Sequence, residues 1–453
     1  SNPYTPKAIM TEGPDFNTKL KSLETATNKI EHFKKSPVAP AASMNAVNID
    51  DDESECEIKL WLDPTDKTAY YYAEPEKVYL NKKSNDMFFS KSDEQKIRNI
   101  LEIDLSNFDT SEVTNMGGMF YGMSNLTTLN VSHFDTSKVA DMSLMFHGMR
   151  DLSALNLSSF NTSQVTDMHN MFYGMSNLTT LNVSHFDTSK VTNMGLMFYG
   201  MSGLTSLDLS NFDTSKVTNM GNMFSSMTNL TSLNLSSFNT SKVTDMGFMF
   251  YGIPNLTSLD LSNLDTSKTT KMSFMFYGMR KLTALNLSSF NTSQVTDMSG
   301  MFSSMPSLTS LDLSNFDTSK VTDMNNMFRN MSSVTSLDLS HFDTSKVTDM
   351  ENMFSDMSNL TSLDLSNFDT SQVTDMNGLF GLRDVDKLND KLETIYVNND
   401  FNTAKVINFS AMFENRMKLR GGNGSFSAAP GAVDLTWLRV DRPGVQGYFT
   451  RKP

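Results

Sequence analysis

A phenylalanine returns at Phe108, Phe134, Phe160, Phe186, Phe212, Phe238, Phe290, Phe316, Phe342 and Phe368, and Leu264 fills the one remaining place, so that every step is 26 residues. Eleven copies in unbroken register constrain the chain more than any other property it has. A chain built from one short unit grows in one dimension, by stacking coils, so its length does not predict a number of globular domains. A single coil exposes an apolar edge on each side and is not stable alone. Stacking buries both edges.

Within one unit, Leu126 to Arg150, the apolar Leu129 and Val131 alternate with Thr128, Asn130 and Ser132, the period of a half-buried strand. Phe134 points inward at a corner. Asp135-Thr136-Ser137 is a turn, because an aspartate side chain accepts from backbone N–H groups just ahead of it. Val139 to Met142 forms a short extended leg. In the first unit Met116, Met119, Phe120 and Met123 then lie at i, i+3, i+4 and i+7, which predicts one face of a short helical turn. This motif accounts for the 35 Met and 32 Phe against 2 Trp. Methionine suits such an interior because it fills irregular gaps.

Stacking turns each position into a column. The strand column reads Asp104, Asn130, Asn156, Asn182, Asp208, Asn234, Asp260, Asn286, Asp312, Asp338 and Asp364. Stacked carboxylates repel, so compensation is expected. The turn column offers some, with Lys138 three residues after Asp135, Lys190 after Asp187, Lys216 after Asp213 and Lys320 after Asp317, while the neutral Asn161 and Asn291 are followed by Gln164 and Gln294.

Outside residues 104–380 the pattern changes. Residues 1–54 read as a flexible leader and linker: a weak helix over Lys19–Lys35 with Leu20, Leu23, Ile30 and Phe33, then the Pro/Ala stretch from Pro37 and the acidic run Asp50 to Glu53. Residues 55–103 read as an N-terminal cap with β-prone segments at Ile58–Leu62, Ala69–Ala73 and Val78–Leu80. Residues 381–453 read as a degenerate last repeat and a C-terminal cap, in which Met412-Phe413 echoes the motif.

The net charge of −14 argues against nucleic acid and against anionic membrane surfaces, both of which are bound through Lys/Arg clusters. A lone Cys56 allows no intrachain disulfide and no multi-cysteine zinc site. No apolar stretch is long enough for a membrane span. The start, Ser1-Asn2-Pro3-Tyr4, lacks a signal-peptide pattern and a Met, so targeting and anchoring segments are expected outside this sequence.

No catalytic constellation is visible. His133, His185 and His341 share one column and would stack at equivalent positions instead of converging, and His32, His147 and His169 are scattered. Paired carboxylates such as Asp312 and Asp338 arise from the repeat, with no pocket implied. The chain lacks the glycine- and aspartate-rich nonapeptide of calcium β-rolls. Neither an enzyme, a cofactor nor a metal is expected.

One column pair is not scaffold. Gly118, Leu144, Asn170, Leu196, Asn222, Phe248, Phe274, Gly300, Asn326, Asn352 and Gly378 are followed three residues on by Tyr121, His147, Tyr173, Tyr199, Ser225, Tyr251, Tyr277, Ser303, Arg329, Ser355 and Gly381. An i, i+3 pair on a helix lies on one flank. Leu196 with Tyr199, Phe248 with Tyr251, and Phe274 with Tyr277 therefore form a candidate binding strip of apolar and aromatic side chains. The competing reading is local packing between coils.

The unit Leu-Thr-x-Leu-Asp/Asn-Leu-Ser-x-Phe-Asp/Asn-Thr-Ser-Lys/Gln-Val-Thr-Asp/Asn-Met-x-x-Met-Phe resembles the BspA-like class of leucine-rich repeat, also described as a domain of unknown function in Gram-positive surface proteins and mycoplasma lipoproteins. The resemblance covers about 104–380. The segment from Leu60 to Phe88 is similar to the cap that often precedes such arrays, and Pro443 to Thr450 resembles a junction that often leads into mucin-binding-type modules. It implies a leucine-rich-repeat-like solenoid, with parallel β-strands and a short helical turn per coil between N- and C-terminal caps. It also implies a bacterial cell-surface adhesion module binding a host extracellular protein or glycoprotein. The alternative is a passive spacer that projects other modules from the cell wall. Apart from the resemblance, a monomer is favoured, with the oligomeric state left open by the sequence. The shared motif is scaffold, so no binding residue carries over.

Overall fold

Successive repeats are joined to one another by parallel bridges and backbone hydrogen bonds. The computed structural model describes residues 4–453. It falls into two compact units, Ser1–Val217 with Ser226–Leu230, and Thr218–Ser225 with Thr231–Pro453. Within each unit the repeats pair in parallel through single bridges in one column. That column is Asn115, Asp141, Asp167 and Asn193 in the first unit, and Asn219, Asp245, Lys271, Asp297, Asp323, Asp349 and Asp375 in the second, ending at Asn408. This is a repeat fold, rich in bridges and turns and poor in helix.

The Met-Phe segment is not a helical turn. The N–H groups of Met116, Gly118, Phe120 and Gly122 donate to the carbonyls of Asp141, Ser143, Met145 and His147 in the next repeat, at 2.9, 2.8, 3.0 and 2.7 Å. The residues between them turn back: Met119, Tyr121 and Met123 donate to the carbonyls of Met116, Gly118 and Phe120 at 3.2, 3.1 and 3.2 Å. With every second N–H committed to a neighbouring repeat, an i→i−4 ladder cannot form. The apolar spacing correctly marks what faces inward: Met116, Met119, Phe120 and Met123 are buried.

The segment around Leu129 and Val131 is buried as expected but forms no ladder strand there; the equivalent segment of the last repeat is a strand, at Ser362–Asp364. Its asparagine competes for the backbone. Asn130 Oδ1 accepts from Ser132 N–H at 3.0 Å, and Asp208, Asp260, Asp312 and Asp338 do the same two residues ahead. The turn column and the bridge column behave alike, as at Asp135 with Ser137 and Asp141 with Ser143. The turn carboxylates are therefore compensated first by local N–H and hydroxyl groups, and the lysine three residues on adds a smaller contribution, as Lys190 does at Asp187 and Lys320 at Asp317. Lys138 instead pairs with Glu112 of the previous repeat at 3.3 Å, and Lys190 and Lys320 donate to Gln164 and Gln294 at 2.8 and 2.9 Å.

The interior contains a hydroxyl ladder that the sequence does not advertise. The buried Thr136 hydroxyl donates to the carbonyl of Asn161 and accepts from its N–H, at 2.9 and 2.8 Å. Thr318 does the same with Asp343 at 2.9 and 2.8 Å. Each buried threonine thus satisfies both backbone groups of one residue in the next repeat. Around it the phenylalanines stack, with ring centroids 5.8 to 6.0 Å apart from Phe120 to Phe198 and from Phe224 to Phe380.

Residues 4–54 are packed structure, which corrects the expectation of a flexible linker. They carry β1 (Ala8–Ile9), α1 (Gly13–Ser22), β2 (His32–Lys35) and β3 (Val47–Asn48). The helix begins earlier than its spacing suggested, with a proline in its first turn, and the last four residues of the expected span are a strand. Residues 55–110 add β4 (Lys59–Asp63), β5 (Thr68–Tyr72), β6 (Val78–Tyr79), β7 (Glu102–Ile103) and β8 (Phe108–Asp109). One sheet has the order β3-β4-β5-β2-β7 and another β1-β6-β8, so the first 54 residues are inseparable from the cap. Phe33 of β2 lies 5.7 Å from Phe16, 5.3 Å from Tyr71 and 6.2 Å from Phe108, an aromatic plug over the first repeat. The acidic run is the turn into β4: Asp50 bridges Met10 and accepts from Ile58 N–H at 3.1 Å.

At the other end, β9 (Ser362–Asp364), β10 (Thr394–Val397) and β11 (Phe449–Arg451) form a parallel sheet in the order β11-β10-β9. Arg416, 1% exposed, pairs there with the equally buried Asp390 at 2.9 Å and donates to the carbonyl of Phe380 at 2.5 Å.

Candidate functional site

The variable columns owe their position to backbone geometry. Leu144, Asn170, Leu196, Asn222, Phe248, Phe274, Asn326 and Asn352 have φ between +52° and +61°, and Gly118, Gly300 and Gly378 fill the same place at +63°, +56° and +62°. Glycine and asparagine suit this left-handed position, whereas Leu and Phe adopt it at a cost of about 1 kcal/mol or more. The expected helix flank is therefore corrected to a left-handed residue followed by a turn. The turn still brings the pair together: the rings of Phe248 and Tyr251 are 5.4 Å apart, and those of Phe274 and Tyr277 are 5.7 Å apart.

Across repeats the rings stack. In the second unit Phe248 lies 5.0 Å from Phe274 and Tyr251 lies 4.7 Å from Tyr277, making a four-ring group. In the first unit Tyr199 ends a different row: Phe89, Tyr121, His147, Tyr173 and Tyr199 follow one another at 4.2 to 4.5 Å. Leu196 and Tyr199 thus belong to one unit and the four-ring group to the other. All six side chains are half-buried, so local packing and a remaining open face coexist. His147 sits inside its row, and burial holds its pKa down at about 4.

Beyond Tyr277 the rings stop. Phe274 lies across Gly300, where an added Cβ would come within 2.2 Å of its ring. The next positions are Ser303 and Ser304, and then Arg329, Asn330, Ser355 and Asp356. A concavity of about 390 Å³ opens here, between the aromatic wall and Arg329, Asp356 and Arg383. The Asp356 side chain is 3% exposed. Its carboxylate accepts from Arg383 N–H at 2.8 Å and from Arg329 Nε at 3.4 Å.

Acidic groups gather in the bridge column. Burial raises the pKa of Asp323 to about 6, with Asp349 and Asp297 adding to the effect. Burial also raises Asp349 and Glu351, with Asp375 adding to both. Oxygens of Asp349, Glu351 and Asp375 lie within 4.8 Å of one another, close enough to share a divalent cation. This is a different column from the one in which carboxylates first drew notice. The consecutive acids Asp297, Asp323, Asp349 and Asp375 were its signal. The histidines serve the scaffold: ring nitrogens of His133 and His185 lie 2.9 Å from the carbonyls of Leu105 and Leu157, and His169 Nδ1 lies 2.6 Å from Asp167. Among the described residues no helix is long and apolar enough to cross a membrane.

Comparison with known proteins gives one family. The sequence model described as "Mycoplasma protein of unknown function, DUF285" matches residues 83–181, 174–281, 253–336 and 330–429. Among solved structures, the functional domain of InlJ from Listeria monocytogenes, described as including a cysteine ladder, is similar at 19% identity with a TM-score of 0.37, over 71% of this chain. The chain spans 65% of the length of that domain. No curated protein matches.

Proposed function

From the premise that this chain belongs to the DUF285 family of Mycoplasma proteins of unknown function, we propose that it is a non-enzymatic binding module of a bacterial cell-surface protein, built as a leucine-rich-repeat-like solenoid of the BspA-like type. Its partner is a host extracellular protein or glycoprotein, engaged in adhesion. One observation carries the reading: the chain keeps its interior columns nearly invariant while placing Phe and Leu at left-handed positions on one flank, where Asn and Gly are easier. Half-buried rings held by stacking offer rigid, amphipathic contact area at low entropic cost.

The test is capture on an array of matrix proteins, mucins and serum glycoproteins. The chain is expected to bind at least one of them. Phe248→Asn together with Phe274→Asn is expected to weaken capture at least tenfold. Asn occupies this left-handed position at Asn170 and Asn326, so the double variant should fold, losing about 1–2 kcal/mol of ring stacking. A bare array would favour the spacer reading, which the near-identity of the interior columns supports.

A further inference from the structure

We propose that the concavity between Tyr277 and Arg383 is a saccharide-binding subsite that takes one neutral pyranose unit of a glycan. The inference deepens the binding-module reading and rests on it.

The concavity exists because the repeat pattern is broken there. At Tyr251-Gly252 and Tyr277-Gly278 the chain places a stacked ring and a glycine at positive φ. The next three repeats carry Ser303-Ser304, Arg329-Asn330 and Ser355-Asp356 instead. Ser304, Asn330 and Asp356 keep the glycine's left-handed backbone, with φ of 59°, 60° and 60°. Three successive non-glycine residues stand there, where most other repeats use glycine and, before them, only Ser226 departs in the same way; the serine carries the larger strain, since Asn and Asp tolerate this region better. What the substitutions achieve is local chemistry. Two serines replace a ring and leave a floor, and the repeats beyond it present planar polar groups.

Those groups are held in place before any ligand arrives. Arg329 donates to Asn326 Oδ1 at 3.2 Å and to Asp356 at 3.4 Å, while Arg383 donates to Asn330 Oδ1 at 3.4 Å. The two arginines remain 42% and 51% exposed, so each keeps an open edge with further N–H donors. Opposite them stand the half-buried rings of Phe274 and Tyr277.

An aromatic wall facing a preorganised polar wall matches a pyranose. Its C–H face carries slight positive charge and suits the negative face of a ring. Its vicinal hydroxyls suit the paired donors and acceptors of Arg, Asp and Asn. A lining this polar disfavours an apolar ligand. Charge decides the sugar type: Arg329 and Arg383 both pair with Asp356, and Arg383 also pairs with Asp386 at 2.9 Å. No uncompensated cation is left for a carboxylate or sulfate. The volume, about 390 Å³, falls at the small end of ligand sites.

The test uses the full chain and saturation-transfer NMR with three probes: galactose, N-acetyllactosamine and sialyllactose. At least one neutral probe is expected to receive saturation. Ser303→Tyr with Ser304→Gly restores the Tyr-Gly pair of the preceding repeats and fills the floor with a stacked ring. It should melt at the same temperature or higher and bind at least tenfold more weakly, and Arg329→Ala should weaken binding comparably. The proposal fails if no probe receives saturation, if only sialyllactose does, or if the restored variant binds as well as the parent. The two readings separate on the array: protein capture that survives in a chain with no saccharide signal overturns this subsite and leaves the binding module standing.

Discussion

The flank of the first unit and the flank of the second are built on the same interior and diverge above it. In the first, Phe89, Tyr121, His147, Tyr173 and Tyr199 form an uninterrupted ring row at 4.2 to 4.5 Å. In the second, the row holds Tyr251 and Tyr277 and then gives way to Ser303, Arg329 and Ser355. Beneath both, the phenylalanine spacing stays within 5.8 to 6.0 Å. The difference teaches that interior and flank are specified separately. Stability is laid down by columns that vary little, because each threonine hydroxyl holds the backbone of the next repeat and each stacked phenylalanine meets its own copy. The flank, half-exposed, is free to change from repeat to repeat.

The largest effect should come from breaking the interior, and it should be the same in both units. Thr162→Val and Thr318→Val each leave a part-buried N–H and carbonyl of the next repeat, at Asp187 and Asp343, without their hydroxyl partner. Each is expected to cost about 1–3 kcal/mol, measured by denaturant unfolding. Losses that differed strongly between the two sites would show that the interiors are not equivalent.

How far the sequence reveals this division depends on the kind of bond involved. The 26-residue period and the inward-facing Met, Phe and Val columns are plain in it, because burial follows side-chain type. The segment around Met116–Met123 has helical apolar spacing yet folds as a turn, because that spacing shows which residues face in, not which carbonyl each N–H finds. The column Gly118, Asn170, Asn222, Gly300 held the missing hint, since these residues tolerate a left-handed backbone. Residues 4–54 were hidden for a related reason. Phe16, Leu20 and Phe33 are sparse along the chain, and their partners Tyr71, Phe88 and Phe108 are far away in it. At the candidate site the aromatic pairs were legible, but the concavity was not. Its signal is the replacement of glycine by Ser304, Asn330 and Asp356, which becomes visible once that column is known to need positive φ.

A smaller effect should set the two flanks apart by pH. Burial between Tyr121 and Tyr173 lowers the His147 pKa from 6.5 to about 4. A base depressed in the folded state stays neutral there while the unfolded chain takes up a proton. The first unit should therefore lose stability as pH falls from about 6.5 towards 4, by about 1–2 kcal/mol once partial exposure is allowed for. His147→Tyr, which copies the neighbouring repeats, should abolish that loss. Melting curves at pH 7 and pH 5 decide it, and a variant as acid-sensitive as the parent would remove His147 from the account.

The smallest effect should run the other way, in the second unit. Asp323 is raised from 3.8 to about 6 by burial and by Asp349 and Asp297. Here the folded state holds the proton more tightly than the unfolded chain. Stability contributed by the protonated form is present at low pH and is lost as pH rises from about 4 through 6. At pH 7 the ionised Asp323 is a liability of about 1 kcal/mol, discounted for its partial exposure to solvent. Asp323→Asn should recover it, because Asn already fills this column at Asn115, Asn193 and Asn219, and there its Oδ1 accepts the same N–H two residues ahead. The variant should melt higher than the parent at pH 7 and equal to it at pH 4. A variant less stable at pH 7 would mean that the carboxylate is stabilised there by something the chain alone does not supply, and the oxygens of Asp349, Glu351 and Asp375 alongside it would be the first place to look for a bound cation.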